Sequence, residues 1–365
     1  MSNPIRNIRA RAFPVEFAHG FRNANASLST IDHVWVDVSV AGMVGRGEAT
    51  VFPAYSGETT ESVLAAVEKH LKPVVLGVDL FAVDDLVDRM AAALPHNSFA
   101  RSAVELALVD LRARVLGRPA VDLLGGARRD QVEYLASVSI DEPLAMASAA
   151  LDCVSKGARS LQVKVIGSAQ VTYERVRAIR DAIGGEVRIA IDGNGSFSRY
   201  EALRALDLLA PLDISLWEQP LVPHDLEGAR MLNAENGIPI FADEALVTSA
   251  DALRLVLEGA AGGFTVKFGK SGLHEAAGIV AIARAANLPC IAGGMIETNW
   301  GTFAGVHFAA TLPTDYFPSG LTGPHLLRDQ LTGCAPPAGK EPFSWQLPKG
   351  AGWGNEIVDI HTVCQ

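Results

Sequence analysis

The sequence lacks the features of a membrane-spanning or secreted protein. It contains no run of about 20 apolar residues, the length that a helix needs to cross a bilayer. Residues 1 to 4 lack the basic and apolar regions of a secretory signal. Cysteine is scarce, and its four positions do not have metal-site spacing: Cys153, Cys290, Cys334 and Cys364. We therefore expect a soluble, cytoplasmic protein with reduced thiols.

Positive charge is also in short supply. The chain has 31 Lys and Arg against 41 Asp and Glu, a formal net charge of -10. This balance argues against nucleic acid or an anionic membrane as a partner. A small anionic substrate remains compatible with it, because a bound cation and nearby lysines dominate the field inside a cleft. We also expect the protein to form a homo-oligomer.

Charged residues recur at nearly constant intervals through the middle of the chain. Successive members are separated by 28, 26, 25 and 24 residues: Lys164, Asp192, Glu218, Asp243 and Lys267. Each follows a short apolar run, and the interval is close to one strand-helix repeat, so the pattern predicts five barrel strands that deliver side chains to one mouth. Any one of these residues alone could be an ordinary loop or capping residue. Their common register favours a shared site.

The apolar runs predict parallel strands that are buried on both faces, because they are nearly continuous rather than alternating. Amphipathic stretches of helical length separate them. With a first unit upstream, a seventh at Leu288 to Ala292 and an eighth strand at Asp315 to Pro318, we predict an α/β barrel over residues 126 to 325. The central runs are Ser160 to Val165, Val187 to Ile191, Ile214 to Trp217, Pro239 to Ala242 and Phe264 to Val266.

The two ends of the chain show a different pattern. Residues 34 to 40 and 43 to 50 alternate around Ala41-Gly42, which predicts a hairpin, and three helices should follow at 61 to 71, 83 to 93 and 99 to 116. We predict a separate α+β domain over residues 1 to 125. Residues 343 to 360 again look extended, so we expect residues 326 to 365 to return to that domain.

Glu218 points most strongly to a metal. It follows Leu216 and Trp217 directly, and an isolated buried carboxylate is costly without a counter-charge. Magnesium takes hard oxygen ligands and keeps positions for water or substrate. The sequence therefore predicts one Mg²⁺ held by Asp192, Glu218 and Asp243.

The same residues lie in motifs that resemble the enolase superfamily, and more narrowly the muconate lactonizing enzyme-like subgroup of the mandelate racemase/muconate lactonizing enzyme family. The resemblance covers nearly the whole chain. Two segments outside the barrel support it, Gly45 to Thr50 and Ala103 to Gly126. The motifs are Lys164, Asp192-Gly-Asn194, Trp217-Glu-Gln-Pro220, Asp243-Glu244, Val266-Lys267 and Gly293 to Glu297.

The resemblance implies a capping domain, built from both chain ends, over a modified (β/α)₇β TIM barrel with one Mg²⁺. It implies that Lys164 and Lys267 are the acid/base pair and that a lysine removes the proton beside a metal-bound substrate carboxylate. Metal and burial would lower the lysine pKa from about 10.4 toward neutrality. The residues expected to orient these groups or contact the substrate are Gln162, Asn194, Glu244, Glu297, Tyr55, Phe21 and Trp300.

Departures from the family pattern narrow the reaction. Gln162 replaces the first lysine of the family's Lys-x-Lys motif, and the segment Ile291 to Glu297, at the end of the seventh strand, contains no histidine. Gly320 occupies the position of an acid that cycloisomerases carry, and no Asp-x-Asp of dipeptide epimerases follows Asp315. We expect a racemase or epimerase of a small carboxylate or amino-acid derivative that works through an enediolate.

Other reactions remain open. The first alternative is a dehydratase of a hydroxy acid or hydroxyproline-like substrate. A cycloisomerase, a Schiff-base lyase and an inert binding protein rank lower. Phe21 and Tyr55 could instead be packing residues.

Overall fold

The computed structural model describes residues 3–235, 237–313, 316–328 and 334–357 of the chain. Its strands are β1 (Asn7–Arg22), β2 (Ser27–Val40), β3 (Met43–Val51), β4 (Gln131–Glu133), β5 (Ala136–Val138), β6 (Ser160–Lys164), β7 (Arg188–Asp192), β8 (Ile214–Glu218), β9 (Ile240–Ala242), β10 (Gly263–Val266), β11 (Cys290–Ala292) and β12 (Ser344–Gln346).

Helices connect most of these strands. They are α1 (Pro53–Ser56), α2 (Thr60–Ala65), α3 (Lys72–Val75), α4 (Val83–Ala93), α5 (Ser98–Leu116), α6 (Pro143–Ser155), α7 (Ala169–Ile183), α8 (Arg199–Leu209), α9 (Leu226–Ala234), α10 (Ser249–Leu257), α11 (Phe268–Ser271), α12 (Leu273–Ala285), α13 (Asn299–Thr311) and α14 (Gly323–Leu326). A π-helical turn (Ala66–Leu71) follows α2, and 3₁₀ turns span Ala120–Leu124 and Ala210–Leu212. No helix in the described ranges is long and apolar enough to cross a bilayer.

The N-terminal part is a three-stranded antiparallel sheet, β1-β2-β3, covered by helices. The predicted hairpin is confirmed, since Val40 pairs with Met43. Helix α5 lies across the sheet, and the Glu58 carboxylate accepts the backbone N–H groups of Phe99 (2.9 Å) and Ala100 (3.2 Å) at its N-terminus. The helix ends at Gly117, which has a left-handed φ of 62°. We call residues 3 to 125 the cap.

Close packing of α5 on β3 depends on two glycines. A Cβ atom on Gly47 would lie 2.0 Å from the carbonyl oxygen of Ala103, and one on Gly45 would lie 2.4 Å from that of Ala107. Both neighbours are helix backbone, which cannot move aside without the whole helix moving. The glycines therefore set the separation between helix and sheet.

The central part is a curled parallel sheet in the order β5-β6-β7-β8-β9-β10-β11 with helices outside it. This is the modified α/β barrel that the sequence predicts. The predicted first strand is divided in two, because β5 joins the barrel sheet while β4 pairs antiparallel with β12.

The barrel closes at a different point from the one predicted. Asp315 lies outside the described residues, and the closing bridges join Ser319 to Tyr134 and Gly320 to Gly293. Pro318 has no N–H group to donate to a neighbouring strand. Ser319 donates to the Glu133 carbonyl at 2.9 Å, and Gly320 donates to the Ala292 carbonyl at 2.7 Å. The eighth strand is thus reduced to two bridging residues just after the proline.

The C-terminal tail contacts both the barrel and the cap. Strand β12 pairs with β4, whereas the Trp353 indole donates to the Arg46 carbonyl at 3.2 Å and its backbone N–H donates to Asp110 at 2.9 Å. Of the stretch expected to be extended, only Ser344–Gln346 is a strand, and residues 358 to 360 lie outside the described ranges.

The cap is joined to the barrel by a buried carboxylate, Glu48 on β3. It accepts hydrogen bonds from the Trp35 indole (2.9 Å) and from the Thr298 N–H (2.8 Å) and hydroxyl (2.5 Å), and its Oε1 lies 3.1 Å from His33 Nδ1. Burial alone would raise the Glu48 pKa, but the contacts with His33 and Thr298 lower it. Thr298 also caps α13, so this network fixes the cap against the loop after β11.

We predict that Gly47→Ala lowers the free energy of unfolding by about 3 kcal/mol, because the new methyl group overlaps the α5 backbone. Gly185→Ala is the matched control, since a Cβ there meets nothing within 4 Å, and it should change stability by less than about 0.5 kcal/mol. Thermal unfolding of both variants checks this. Equal melting temperatures would contradict the packing argument.

Candidate active site

Five strands bring the predicted charged residues to one end of the barrel. Lys164, Asp192 and Glu218 are the last residues of β6, β7 and β8, and Asp243 and Lys267 directly follow β9 and β10. Lys164 pairs in register with Asp192, and Asp192 pairs with Glu218. All five are buried, with exposed fractions between 0 and 9%. The equal spacing in the sequence therefore corresponds to adjacent positions in space.

The two lysines contact the outer carboxylates of this set. Lys164 Nζ lies 2.5 Å from Asp192 Oδ2, and Lys267 Nζ lies 2.5 Å from Asp243 Oδ2. Glu218, between them, accepts a hydrogen bond from the Gln162 amide at 2.6 Å. Its other oxygen, Oε1, has no hydrogen-bond partner in the described residues, and Lys267 Nζ is 3.9 Å away.

Crowding of buried carboxylates dominates the electrostatics. Burial, then Asp192 and Asp243, raise the pKa of Glu218 well above its usual value. Burial and the same two aspartates raise the pKa of Glu244 to about 8. Although burial opposes it, the ammonium groups of Lys267 and Lys270 hold the pKa of Asp243 below its usual value. The lysines at the barrel mouth therefore do not fully neutralise the negative charge of the carboxylates.

The charge on the carboxylates also acts on Lys267. Burial lowers the pKa of its ammonium group, but the surrounding acids, Asp243 foremost, raise it by more. The predicted lowering of the lysine pKa concerned the site with its metal bound. Burial acts in the expected direction, whereas the carboxylates act against it.

The donor set fits a divalent cation such as Mg²⁺. As the side chains stand, no three Asp, Glu, His or Cys side chains in the described ranges are arranged as a metal site, and the ammonium groups contact Asp192 and Asp243 instead. Glu218 Oε1 is nevertheless buried and has no hydrogen-bond partner among the described residues, and the pKa of this carboxyl group is raised. Hard oxygen ligands on three adjacent strands suit Mg²⁺, so Asp192, Glu218 and Asp243 are the residues able to hold it.

One predicted residue, Asn194, and one that was not predicted, Gln219, orient these carboxylates. The Asn194 backbone N–H donates to Asp192 Oδ1 at 2.9 Å, and its amide donates to Asp192 Oδ2 (3.2 Å) and to Glu244 Oε1 (3.1 Å). Asn194 has a left-handed φ of 41°, a conformation that asparagine tolerates better than most residues. The Gln219 side chain, to which the sequence assigned no role, accepts the N–H groups of Asp243 (3.0 Å) and Ala245 (3.1 Å).

Sequence reasoning missed a third buried lysine. Lys270 is 1% exposed, and its Nζ donates to the Asp243 carbonyl, to Asp243 Oδ1 at 2.9 Å and to the Tyr55 hydroxyl at 3.3 Å. Tyr55 itself donates to Asp243 Oδ1 at 2.7 Å, so a cap residue contacts a carboxylate of the barrel. The spacing of Lys270 three residues after Lys267 is the signal that could have identified it, because one helical turn brings such residues to one side.

The remaining predicted residues divide into two groups. Phe21 and Tyr55 line the cavity at the barrel mouth together with Gln162, Lys164, Asn194, Glu218 and Lys267. Trp300 does not line it, contrary to expectation. It is buried between cap and barrel, 6.0 Å from the Trp35 ring. Glu297 lies behind the wall, where it accepts the Met295 N–H at 2.9 Å and burial raises its pKa to about 7.

Comparisons with known proteins agree with this geometry. Residues 145–360 match the family described as enolase C-terminal domain-like, and residues 7–125 match the mandelate racemase/muconate lactonizing enzyme N-terminal domain. The chain is 32% identical over 310 residues to L-Ala-D/L-Glu epimerase of Clostridium acetobutylicum, a match that covers 84% of this chain and 86% of that one.

Two further proteins are similar over nearly the whole chain. Muconate cycloisomerase 1 of Rhodococcus opacus is 33% identical over 364 residues, covering 97% of this chain and 96% of that one. The dipeptide epimerase from Enterococcus faecalis V583, solved with Mg and the dipeptide L-Leu-L-Tyr, superposes with a TM-score of 0.89 at 29% identity, covering 96% of this chain and 99% of that one.

We predict that Lys270→Met lowers the free energy of unfolding by about 3 kcal/mol, because buried Asp243 loses one of its two ammonium partners. Lys156→Met removes a lysine whose side chain is 65% exposed and pairs with Asp152 one helical turn away. Because an exposed ion pair contributes little, this substitution should leave the free energy of unfolding nearly unchanged. Chemical denaturation of the two variants is the measurement, and equal losses would show that Lys270 is not needed to neutralise Asp243.

Proposed function

Because the chain belongs to the mandelate racemase/muconate lactonizing enzyme family of the enolase superfamily, we propose that it is a Mg²⁺-dependent racemase or epimerase. Its substrate is a small carboxylate or amino-acid derivative, from which it removes the proton on the carbon beside the carboxylate. The relatives named above include an epimerase of L-Ala-D/L-Glu and a dipeptide epimerase solved with Mg. They support an isomerase acting on this class of substrate.

One observation carries the proposal. Lys164 ends β6 and Lys267 directly follows β10. These two strands flank the three that lead to the carboxylates, and both lysines line the same cavity. A flat enediolate held between them presents one face to each lysine. Two acid/base groups on opposite faces suit removal of a proton from one side and its return on the other.

Asp192, Glu218 and Asp243 would hold the metal, whose chemistry is to stabilise the negative charge that develops on the substrate carboxylate. The protein supplies the proton transfers. One lysine, as a free amine, accepts the proton at Nζ, and the other donates a proton from its ammonium group. Gln162 and Asn194 keep Glu218 and Asp192 in place through their amide hydrogen bonds.

The protonation of Lys267 depends on the charge of the carboxylates around it. Asp243, Glu218 and Glu244 raise its pKa, so in their presence alone it is held as the ammonium form, a proton donor. With a cation held by these acids, the cause of that rise would be removed. Burial would then lower the pKa of Lys267 toward the range in which its amine accepts a proton.

The cavity wall suits a substrate with an apolar portion. Cap residues Phe21 and Phe52 and barrel residues Leu135, Met295 and Leu326 line it, while Ser137 and Thr322 offer hydroxyl groups. A small molecule of mixed character fits such a lining. The cap contributes the aromatic part, so we propose that it sets the choice of substrate.

The metal is tested by Glu218→Gln, which keeps the size of the side chain and removes one charge. We expect Mg²⁺ affinity, measured by calorimetry, to fall at least about tenfold, since even residues outside the ligand set change affinity by that much. Turnover should fall by about a thousandfold.

Glu227→Gln is the matched control, because that side chain is 66% exposed and is not one of the proposed metal ligands. Circular dichroism should show that both variants fold. Unchanged Mg²⁺ affinity in Glu218→Gln, or turnover that survives chelation of the metal, would refute the metal assignment.

The lysines are tested by exchange of the substrate α-proton in D₂O, with N-modified amino acids, hydroxyprolines and sugar acids as candidate substrates. We expect Lys164→Ala to abolish exchange of one enantiomer and Lys267→Ala to abolish exchange of the other, with racemisation lost in both. Lys156→Ala, at an exposed residue just after α6, should retain exchange of both enantiomers and racemisation.

A different pattern of exchange would change the reaction class. If one lysine variant loses exchange of both enantiomers and the other retains both, a two-base racemase is excluded. Loss of a β-hydroxyl group from the substrate would then identify a dehydratase.

A further inference from the structure

A second groove lies outside the barrel, where cap helix α5 faces barrel helix α12. Its walls include Phe81, Leu116 and Leu123 from the cap and its connection to the barrel, and Leu273, Val280 and Phe308 from the barrel. None of the residues that line it lines the cavity at the barrel mouth. The groove is therefore separate from the proposed catalytic site.

The rim of this groove is apolar and exposed. Phe81, Leu116 and Leu123 are 40, 49 and 39% exposed, although side chains of this size gain free energy when they leave water. Single exposed apolar residues are common and carry no meaning. Three around one concave surface form a patch of the kind that marks a binding site.

The groove also contains a buried arginine, Arg112. Arg112 is 8% exposed, and its Nε has no partner among the residues that the structure describes. Glu105 lies nearby and attracts it, but one Glu105 oxygen already accepts the His274 N–H at 2.6 Å. A guanidinium group in this setting lacks the planar, two-oxygen acceptor that it binds best.

The charge around Arg112 favours an anion over a cation. Arg128 and Arg284 also line the groove, and Glu105 is the one carboxylate among its described lining residues. Both additional arginines are exposed, so they add positive potential at the rim. An apolar body with a carboxylate at one end would match both the rim and the arginine.

We propose that this groove binds a small amphipathic carboxylate, with its apolar chain along Phe81, Leu116 and Leu123 and its carboxylate paired with Arg112. The inference does not depend on the reaction at the barrel mouth. It rests on an exposed apolar rim and a buried guanidinium group in one groove, the Nε of which has no hydrogen-bond partner among the described residues.

Calorimetric titration with octanoate tests the proposal, with 1-octanol as the neutral probe of equal chain length. We expect one octanoate per chain and at least a tenfold weaker affinity for octanol, since the alcohol cannot form the charge-assisted pair with Arg112. Equal affinities for the two probes, or no saturable binding of octanoate, would overturn the proposal.

Substitutions test whether octanoate binds in this groove. Leu116→Glu puts a negative charge on the rim and should weaken octanoate binding at least tenfold, whereas Leu144→Glu, at a residue 83% exposed elsewhere on the surface, should not. Arg112→Met should also weaken octanoate binding, but leave octanol binding unchanged. Because Arg112 is buried, circular dichroism must show that this variant folds, and Leu116→Glu decides the matter if it does not.

Two outcomes would assign the observations to other sites. Octanoate binding that is lost in Gln162→Ala but retained in Leu116→Glu would belong to the cavity at the barrel mouth, and the proposal would be wrong. An oligomer, measured by light scattering, that dissociates in Leu116→Glu but not in Leu144→Glu would show that a second copy of the chain covers the groove. That result would also overturn the proposal.

Discussion

The rest of the structure depends on the charge balance at the barrel mouth. Three buried carboxyl groups, Asp192, Glu218 and Asp243, and the half-buried Glu244 face the buried lysines Lys164, Lys267 and Lys270. Each ion loses its hydration on burial, so each needs partners at short distance. The aspartates have ammonium partners. Glu218 and Glu244 have raised pKa values, and among the described residues one oxygen of each has no hydrogen-bond partner. A divalent cation at the three strand ends would relieve this imbalance, and the proposed reaction uses the same charge.

The cap covers the barrel mouth, and its side chains also form hydrogen bonds with residues of the charged site. Tyr55 donates its hydroxyl hydrogen to Asp243, and the Asn25 amide donates to the Asn194 carbonyl at 2.9 Å. Glu48 joins β3 to the N-terminus of α13 through Thr298. A change in cap position would therefore disturb the hydrogen bonds of the carboxylates. This coupling gives a physical reason why residues that select a substrate can also affect its chemistry.

Much of the site was predictable because it repeats along the chain. Parallel strands joined by helices recur at a nearly constant interval, and the residue at each strand end faces the same mouth. Lys164, Asp192, Glu218, Asp243 and Lys267 could be grouped by spacing alone, before any contact was known. Lys270 could not be grouped in this way, because it lies on the helical turn after the strand and outside the repeat. Trp300 was misplaced because a sequence does not show which face of α13 meets the cap.

The sequence by itself determined the order of strands and helices, the cap at the start of the chain and the charged residues at the strand ends. Local periodicity and turn residues act over a few positions, so they can be recognised in the sequence itself. Only the tertiary structure decided that the barrel closes at Ser319 and Gly320, that β12 pairs with β4, and that Tyr55 contacts Asp243. These contacts join residues far apart in sequence, and their free energy depends on packing and hydrogen-bond geometry that no local pattern encodes.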